Sequence, residues 1–135
     1  MKIETIKEQL EEALVKADKI AGKNTTLPVL SGFYLDTHQN SLIIKATNLD
    51  LGISITLPVK VIAPGIVVVP AHIFTSLISS LSKDRNINLS TKDQTLEIKT
   101  TSTKTNIKTL PSEEFPIIPE IGEDNAFTMP ARDLV

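Results

Sequence analysis

Residues 35–47 have the sequence LDTHQNSLIIKAT, and residues 89–101, which lie 54 positions later, have the sequence LSTKDQTLEIKTT. The residues that recur at this spacing include Leu35, Leu42, Ile44, Lys45 and Thr47, which match Leu89, Leu96, Ile98, Lys99 and Thr101. In each stretch, two apolar and β-branched runs flank three polar residues, which is typical of a β-hairpin. Leu57-Pro58 recurs 53 positions later as Leu110-Pro111, after a slip of one residue. We interpret the two stretches as equivalent hairpins of an internal repeat.

The sequence around each hairpin predicts one helix and further strands. Apolar residues with helical spacing predict helices over residues 7–21 and 71–81. Gly22 follows the first helix and Pro70 precedes the second, which are common stop and start residues. Alternating or β-branched runs predict eight strands, over residues 1–6, 31–37, 41–47, 51–59, 65–69, 86–91, 95–100 and 104–110. The predicted order is β-α-β-β-β, twice, in an α+β fold.

A third, incomplete copy of this pattern begins near the end of the chain. Met129-Pro130-Ala131-Arg132 resembles Val69-Pro70-Ala71-His72, where a strand meets a helix sixty positions earlier. The stretch before it contains Pro116, Pro119 and Gly122, which is typical of a linker. We therefore predict a first domain at residues 1–115, a linker at 116–124 and the truncated start of a second domain at 125–135.

Composition narrows the range of functions. The chain has 135 residues, a net charge of −2 and 41% hydrophobic residues, which suits a globular domain with one core. The absence of cysteine excludes disulfide scaffolds and zinc–thiolate sites. The two histidines have no placed acidic partner and no phosphate-binding glycine motif is present, so we expect no enzymatic activity, no metal and no cofactor. No apolar run could span a bilayer and no signal peptide is evident, so we expect a cytoplasmic location and no membrane partner.

Four short motifs carry a resemblance to a known family. They are Thr26-Leu27-Pro28-Val29-Leu30, Ala46-Thr47-Asn48-Leu49-Asp50, Val68-Val69-Pro70-Ala71 and Thr109-Leu110-Pro111-Ser112-Glu113-Glu114-Phe115-Pro116. In this order and spacing they resemble the N-terminal domain of the bacterial sliding clamp family, the beta subunit of DNA polymerase III. The resemblance covers the whole chain.

The resemblance implies a fold, a function and partners. The DNA clamp fold has two β-α-β-β-β halves, with two helices on one face and antiparallel sheets on the other. Three such domains form a subunit, and a homodimer closes into a ring around duplex DNA without sequence specificity. The ring is a processivity factor in DNA replication: it tethers the replicative polymerase, is placed on DNA by a clamp loader, and has no catalytic activity of its own. The alternative is a β-rich protein-interaction module unrelated to replication, which would lack the pseudo-two-fold symmetry.

The resemblance also implies DNA-binding positions. They are Lys19, Lys23, Asn24, His72 and Lys83, at the ends of the two predicted helices. Lysine suits weak attraction to phosphates because it is a flexible point charge. Without the resemblance, the acidic start and basic end of the first helix are explained by its macrodipole, and His72 is an ordinary surface residue.

The last set of candidates concerns subunit contact. The resemblance implies that the edge strand at residues 104–110 and the second helix meet the partner subunit. The candidates are Ile73, Leu77, Thr105 and Ile107, and the alternative for Ile73 and Leu77 is a place in the domain core. Lys104 and Lys108 are predicted to protect the exposed edge from aggregation.

Overall fold

The computed structural model of the chain describes residues 1–21, 28–48, 50–81 and 85–116. The predicted helix stop at Gly22 lies outside the described residues. So does almost all of the predicted linker and second-domain start, and those boundaries remain predictions.

Nine strands and two α-helices lie within the described residues, so the prediction of eight strands was one too few. The elements are β1 (Lys2–Ile6), α1 (Lys7–Asp18), β2 (Gly32–His38), β3 (Ser41–Thr47), β4 (Gly52–Pro58), β5 (Lys60–Ala63), β6 (Ile66–Pro70), α2 (Ala71–Ser80), β7 (Asn86–Lys92), β8 (Thr95–Lys99) and β9 (Lys104–Lys108). Two short 3-10 turns occupy Pro28–Ser31 and Ser112–Glu114. The prediction missed β5, because its four residues are too few to show a clear alternation.

The helices begin and end close to their predicted limits. No side chain caps α1, which begins directly after β1; instead, the Lys7 N–H donates a hydrogen bond of 2.8 Å to the Arg85 carbonyl. This long-range bond satisfies one of the amide groups left free at a helix start. Helix α1 buries the side predicted from its apolar spacing, whereas α2 buries Phe74 and Ile78 but leaves Ile73, which the same spacing placed beside them, exposed. The buried residues are Leu10, Ala13, Leu14 and Ala17 on α1, and Ala71, Phe74, Thr75 and Ile78 on α2.

The two halves of the chain exchange their first strands. One sheet has the order β5-β1-β7-β8-β9 and the other β4-β3-β2-β6, and all neighbours are antiparallel. Strand β1 therefore joins the hairpins of the second half, and β6 joins those of the first. Apart from β5, each sheet has the same arrangement, which confirms the predicted repeat, and each sheet includes a strand from the other half.

The strand register confirms the 54-residue spacing in the first hairpin of each half. Leu35 opposes Ile44 as Leu89 opposes Ile98. The two-residue loops also match, because Gln39 and Asp93 both have a positive φ, of 54° and 56°. A positive φ at the first loop residue is typical of tight hairpin turns, since it matches the twist of the strands.

The equivalence of Leu57 and Leu110 was wrong. Leu42 opposes Leu57, whereas its repeat equivalent Leu96 opposes Ile107. The paired residues are 15 positions apart in the β3–β4 hairpin and 11 positions apart in the β8–β9 hairpin. The β8–β9 hairpin is therefore four residues shorter, and Ile107 takes the place of Leu57. Leu110 instead forms an isolated bridge with Val68 on β6.

One core lies between the two sheets and the two helices. Its largest fully buried side chains include Phe33 on β2 and Phe74 on α2, together with Leu14 on α1 and Leu89 on β7. The helices also pack against each other, α1 over β3 and β4 and α2 over β2 and β6. This packing brings the exposed sides of the two helices next to one another.

A second, smaller cluster covers part of the outer face of the four-stranded sheet. It contains Val29, Val68 and Phe115, with Tyr34 and Leu110 packed against it. The Tyr34 and Phe115 rings lie 5.2 Å apart. Three of the four sequence motifs supply its residues, so those motifs have a structural role in the folded domain.

This cluster leads to a prediction about Tyr34. Burial, and secondarily the Asp36 carboxylate, raise the pKa of the Tyr34 hydroxyl above its usual value of about 10. The neutral phenol is therefore favoured in the folded state, and this contribution to stability holds below about pH 10 and is lost as the pH rises through the raised pKa. Tyr34 is the chain's one tyrosine and there is no tryptophan, so absorbance at 295 nm follows it alone. We expect the pH midpoint of the Tyr34 titration to lie above about 10 in the folded protein, and Asp36→Asn to lower it only in part. A midpoint of about 10 or less would contradict this prediction.

Candidate nucleic-acid interface

The exposed sides of α1 and α2, with Lys19 directly after α1, carry two of the positions that the resemblance implies for DNA binding, Lys19 and His72. Glu8, Glu12, Val15, Lys16 and Lys19 are all exposed, which matches the polar side predicted for the first helix. We call the exposed sides of α1 and α2 the helical face.

The charges of α1 nearly cancel. Residues 7–19 include three lysines and four carboxylates. The Lys7 ammonium pairs with the Glu11 carboxylate one turn away, and the Lys16 Nζ lies 3.3 Å from the Glu12 Oε1. Both lysines are thus already paired, so this part of the helical face offers little net attraction to phosphates.

The end of α1 meets the start of α2 at a mixed cluster of Asp18, Lys19 and His72. Lys19 is exposed directly after the last residue of α1 and forms no ion pair with another described residue. The His72 side chain is 88% exposed, and its Nδ1 lies 3.9 Å from the Asp18 Oδ2. The place of Asp18 in this cluster could not be predicted, because nothing in the sequence indicated that the two helix ends are neighbours.

The other DNA-binding predictions remain open. Lys23, Asn24 and Lys83 lie outside the described residues. The exposed positions of α2 include Ser76 and Ser79, and the helix has no acidic residue in its first turn and no basic residue in its last. On its described part, the helical face is therefore close to neutral.

The four predicted subunit-contact residues differ in their accessibility. Ile73 on α2 is 58% exposed, so it does not belong to the core, while Leu77 is half-buried and packs against the core. On β9, Thr105 is half-buried and Ile107 is 7% exposed, because both face the core. The Ile107 side chain is therefore unavailable to a partner in this fold, and Ile73 is the candidate with a free apolar side chain.

Strand β9 is an edge strand in the described part of the chain, since it pairs with β8 alone. The Thr109 N–H donates to the Gln94 carbonyl at 2.9 Å, and the Thr100 N–H donates to the Thr103 carbonyl at 2.9 Å. In an antiparallel pair, hydrogen-bonded positions alternate, so the main-chain groups of Thr105 and Ile107 point toward β8. The main-chain groups of Lys104, Asn106 and Lys108 point away from β8, toward the open edge of the sheet. An added strand would form its hydrogen bonds with these groups.

Strand β4 is the matching edge of the other sheet. It pairs with β3 alone among the described elements, and its seven residues, GISITLP, include no charged side chain. By contrast, β9 carries Lys104 and Lys108 at its two ends. Lysines commonly protect exposed edges, so β4 is the less protected of the two.

Within residues 1–21, 28–48, 50–81 and 85–116, no group of three or more acidic or histidine side chains is placed to hold a metal ion. No helix in those ranges has the length and apolar character needed to cross a membrane.

Comparison with known proteins identifies the family. Residues 1–119 match the family described as "DNA polymerase III beta subunit, N-terminal domain". The beta sliding clamp of Staphylococcus epidermidis is 28% identical over 125 residues, which cover 86% of this chain and 33% of that protein. The Helicobacter pylori beta clamp bound to a DNA ligase peptide superposes with a TM-score of 0.84 at 30% identity, over 90% of this chain and 34% of that one. The beta subunit from Pseudomonas aeruginosa gives a TM-score of 0.83 at 27% identity, over 89% of this chain and 33% of that one.

The chain thus spans about a third of the length of the relatives that it matches. The family match over residues 1–119 agrees with the fold, which has a swapped pair of β-α-β-β-β halves and two adjacent helices. The chain belongs to the DNA polymerase III beta subunit family, the bacterial sliding clamps, and corresponds to their N-terminal domain.

Proposed function

We infer that this chain is the first domain of a ring that encircles duplex DNA and tethers the replicative polymerase to it in the cytoplasm. The domain has no catalytic role, so the protein acts as an accessory subunit. What carries this proposal is the pseudo-symmetric fold of a chain of this family, in which the terminal strands β4 and β9 each pair with one neighbouring strand among the described residues. Domains of this form can join edge to edge, and head-to-tail contacts that return on themselves close a ring.

The two edges suit different partners. An edge without charged residues is an aggregation hazard unless it is covered, so we assign β4 to a contact within the same polypeptide. The lysines of β9 make it tolerant of exposure, which suits a contact between subunits that opens when the ring is loaded. In this arrangement Ile73 on α2, with Leu77 packed against the core, supplies an apolar contact to the partner subunit, while Thr105 and Ile107 hold β9 in place from the core side.

The DNA contacts of this domain are few. Lys19 and His72 are exposed on the helical face, and Lys23, Asn24 and Lys83 are assigned from the resemblance alone. Tethering by a closed ring does not need tight local binding, because the DNA is held by enclosure. The nearly neutral helical face is therefore compatible with sliding, and polymerase, clamp loader and other clients bind the complete homodimer.

The test is a Lys19→Ala/Lys23→Ala variant of the full-length protein. Its affinity for linear duplexes of unrelated sequence is measured by fluorescence anisotropy over a range of salt concentrations. Each lost phosphate contact should make the log–log salt dependence shallower by roughly 0.9, equally for each sequence. Lys45→Ala, on the outer face of the four-stranded sheet, is the control and should leave the slope unchanged. An unchanged slope in the double variant would return these lysines to the role of ordinary helix-end charges.

A further inference from the structure

The outer face of the five-stranded sheet carries an excess of positive charge. Its outward-pointing side chains include six exposed lysines, which are Lys2, Lys60, Lys92, Lys99, Lys104 and Lys108. Two glutamates, Glu4 and Glu97, share this face. The face therefore has a formal charge of +4 in a chain whose net charge is −2. We call it the basic sheet face.

The strand register places these side chains on one surface. Side chains alternate along a strand, and the positions between the lysines, such as Ile3, Leu89 and Ile98, are buried in the core. One row crosses all five strands, because successive neighbours are paired: Lys60, Glu4, Asn88, Lys99 and Lys104. With neighbouring strands about 4.8 Å apart, this row is about 19 Å long.

The two glutamates neutralise only part of this charge. The Lys60 Nζ lies 3.9 Å from the Glu4 Oε2, and the Lys104 Nζ lies 3.6 Å from the Glu97 Oε2. Lys2, Lys92, Lys99 and Lys108 form no ion pair with any residue in the described ranges. Four cations are thus available to an anionic partner.

Protection of sheet edges explains only some of these lysines. Lys60, Lys104 and Lys108 lie on the outer strands β5 and β9, whereas Lys2, Lys92 and Lys99 lie on the inner strands β1, β7 and β8. Inner strands have no open edge to protect. A different reason is needed for the lysines at the centre of the face.

The repeat supplies an internal comparison. The register matches Lys2, Lys92, Lys104 and Lys108 with Ile66, His38, Ser54 and Pro58 on the four-stranded sheet, none of which is a lysine or arginine. Lys99 alone matches a lysine, Lys45, which lies 5.9 Å from the centre of the Tyr34 ring. The outward positions of that sheet hold one lysine and one aspartate, Asp36. The fold therefore does not require the positive charge of the basic sheet face.

We propose that the basic sheet face binds the phosphate backbone of duplex DNA from outside, independently of any passage of DNA through a ring. Lysines with neutral donors such as Asn88 and Asn106 suit phosphate contacts that carry no sequence information. None of the five strands contains an aromatic residue or arginine, so the face has no stacking platform for single strands. Its exposed apolar side chains, Ile6 and Ile62, lie on β1 and β5 away from the centre, which disfavours a protein partner that needs a central anchor.

The experiment uses relaxed, covalently closed circular plasmid and the full-length protein without a clamp loader. Closed circular DNA cannot thread a closed ring, so binding reports the outside of the protein. We expect binding that weakens with salt, and a Lys92→Gln/Lys99→Gln variant that binds at least tenfold more weakly at low salt. Its log–log salt slope should be shallower by about 1.8, because two phosphate contacts are lost. The control, Lys16→Gln/Lys45→Gln, removes the same charge elsewhere and should bind as the unmodified protein does.

Three results would overturn the proposal: no plasmid binding by the unmodified protein at low salt, no change in the Lys92→Gln/Lys99→Gln variant, or an equal loss in the control. The proposal is also overturned if the Lys92→Gln/Lys99→Gln variant binds a polyglutamate peptide more weakly than the unmodified protein but binds plasmid equally well. That result would assign the face to an acidic protein. Unchanged thermal midpoints exclude unfolding as a cause.

The ring function is measured separately, as loader-dependent retention on circular DNA. If that retention fails while plasmid binding depends on Lys92 and Lys99, the proposed function is wrong and the basic sheet face stands.

Discussion

Replacing Phe74 with alanine is expected to lower the free energy of unfolding by about 3 to 5 kcal/mol. Phe74 is fully buried on α2 and belongs to the core that joins both helices to both sheets. Its removal loses the burial of a large ring and leaves a cavity that neighbouring elements, held by hydrogen-bonded ladders, cannot close. Urea unfolding followed by circular dichroism measures the effect, and the slope with urea should be unchanged.

Phe115→Ala is the matched control for this prediction. Phe115 is also a buried phenylalanine, but it lies in the small cluster on the outer face of the four-stranded sheet, beside Tyr34. Its neighbours Tyr34 and Leu110 are only partly buried and can adjust, so we expect a loss of about 1 to 2 kcal/mol. Equal losses in the two variants would mean that the two clusters form one energetic unit, contrary to the separation seen in the structure.

The local elements could be predicted from the sequence, because their signals are local. The apolar stripe of α1 and the paired runs around Gln39 and Asp93 each lie within about fifteen residues. The register of the β2–β3 and β7–β8 hairpins follows from the loops that join them, so the 54-residue spacing was sufficient. The α+β class and the two halves followed from the order of these elements.

Long-range pairing could not be predicted from the residues. The exchange of β1 and β6 between halves depends on partners thirty or more residues away, and no local pattern specifies them. The same limit explains the error at Leu110: the dipeptide Leu-Pro matched by identity, while the ladder placed Ile107 opposite Leu96. Strand β5 was missed because its four residues are too few to show an alternation, and only its pairing with β1 identifies it as a strand.

In the candidate site, too, local features could be predicted from the sequence and long-range contacts could not. The exposed positions of α1 followed from helical spacing, but the approach of Asp18 to His72 depends on how two helices pack. The basic sheet face was also hidden, because its six lysines are spread over five strands and 107 residues of sequence, from Lys2 to Lys108. Each lysine alone is an ordinary solvated residue, and only the register shows that they share one surface.

Replacing Asn106 with proline is expected to weaken the proposed homodimer of the full-length protein about 10- to 100-fold. The reason is the direction of the main-chain groups of β9: the Asn106 N–H points away from β8 and is free to bond an added strand. Proline removes this donor and places a ring in the path of the partner strand. A lost hydrogen bond with this clash amounts to about 1.4 to 2.8 kcal/mol, which gives the expected change in the dissociation constant.

Two further variants make this prediction specific to the edge of β9. Asn106→Ala removes the same side chain but keeps the N–H, so its dimer affinity should stay close to that of the unmodified protein. Ile107→Pro removes an N–H that points toward β8 and a buried side chain, so it should lower the thermal midpoint strongly, whereas Asn106→Pro should lower it little. Sedimentation velocity over a dilution series gives the dissociation constants, and thermal unfolding gives the midpoints. If Asn106→Pro and Asn106→Ala dimerise equally well, subunit contact does not depend on strand addition at β9, and the ring must close through another surface, such as the one around Ile73.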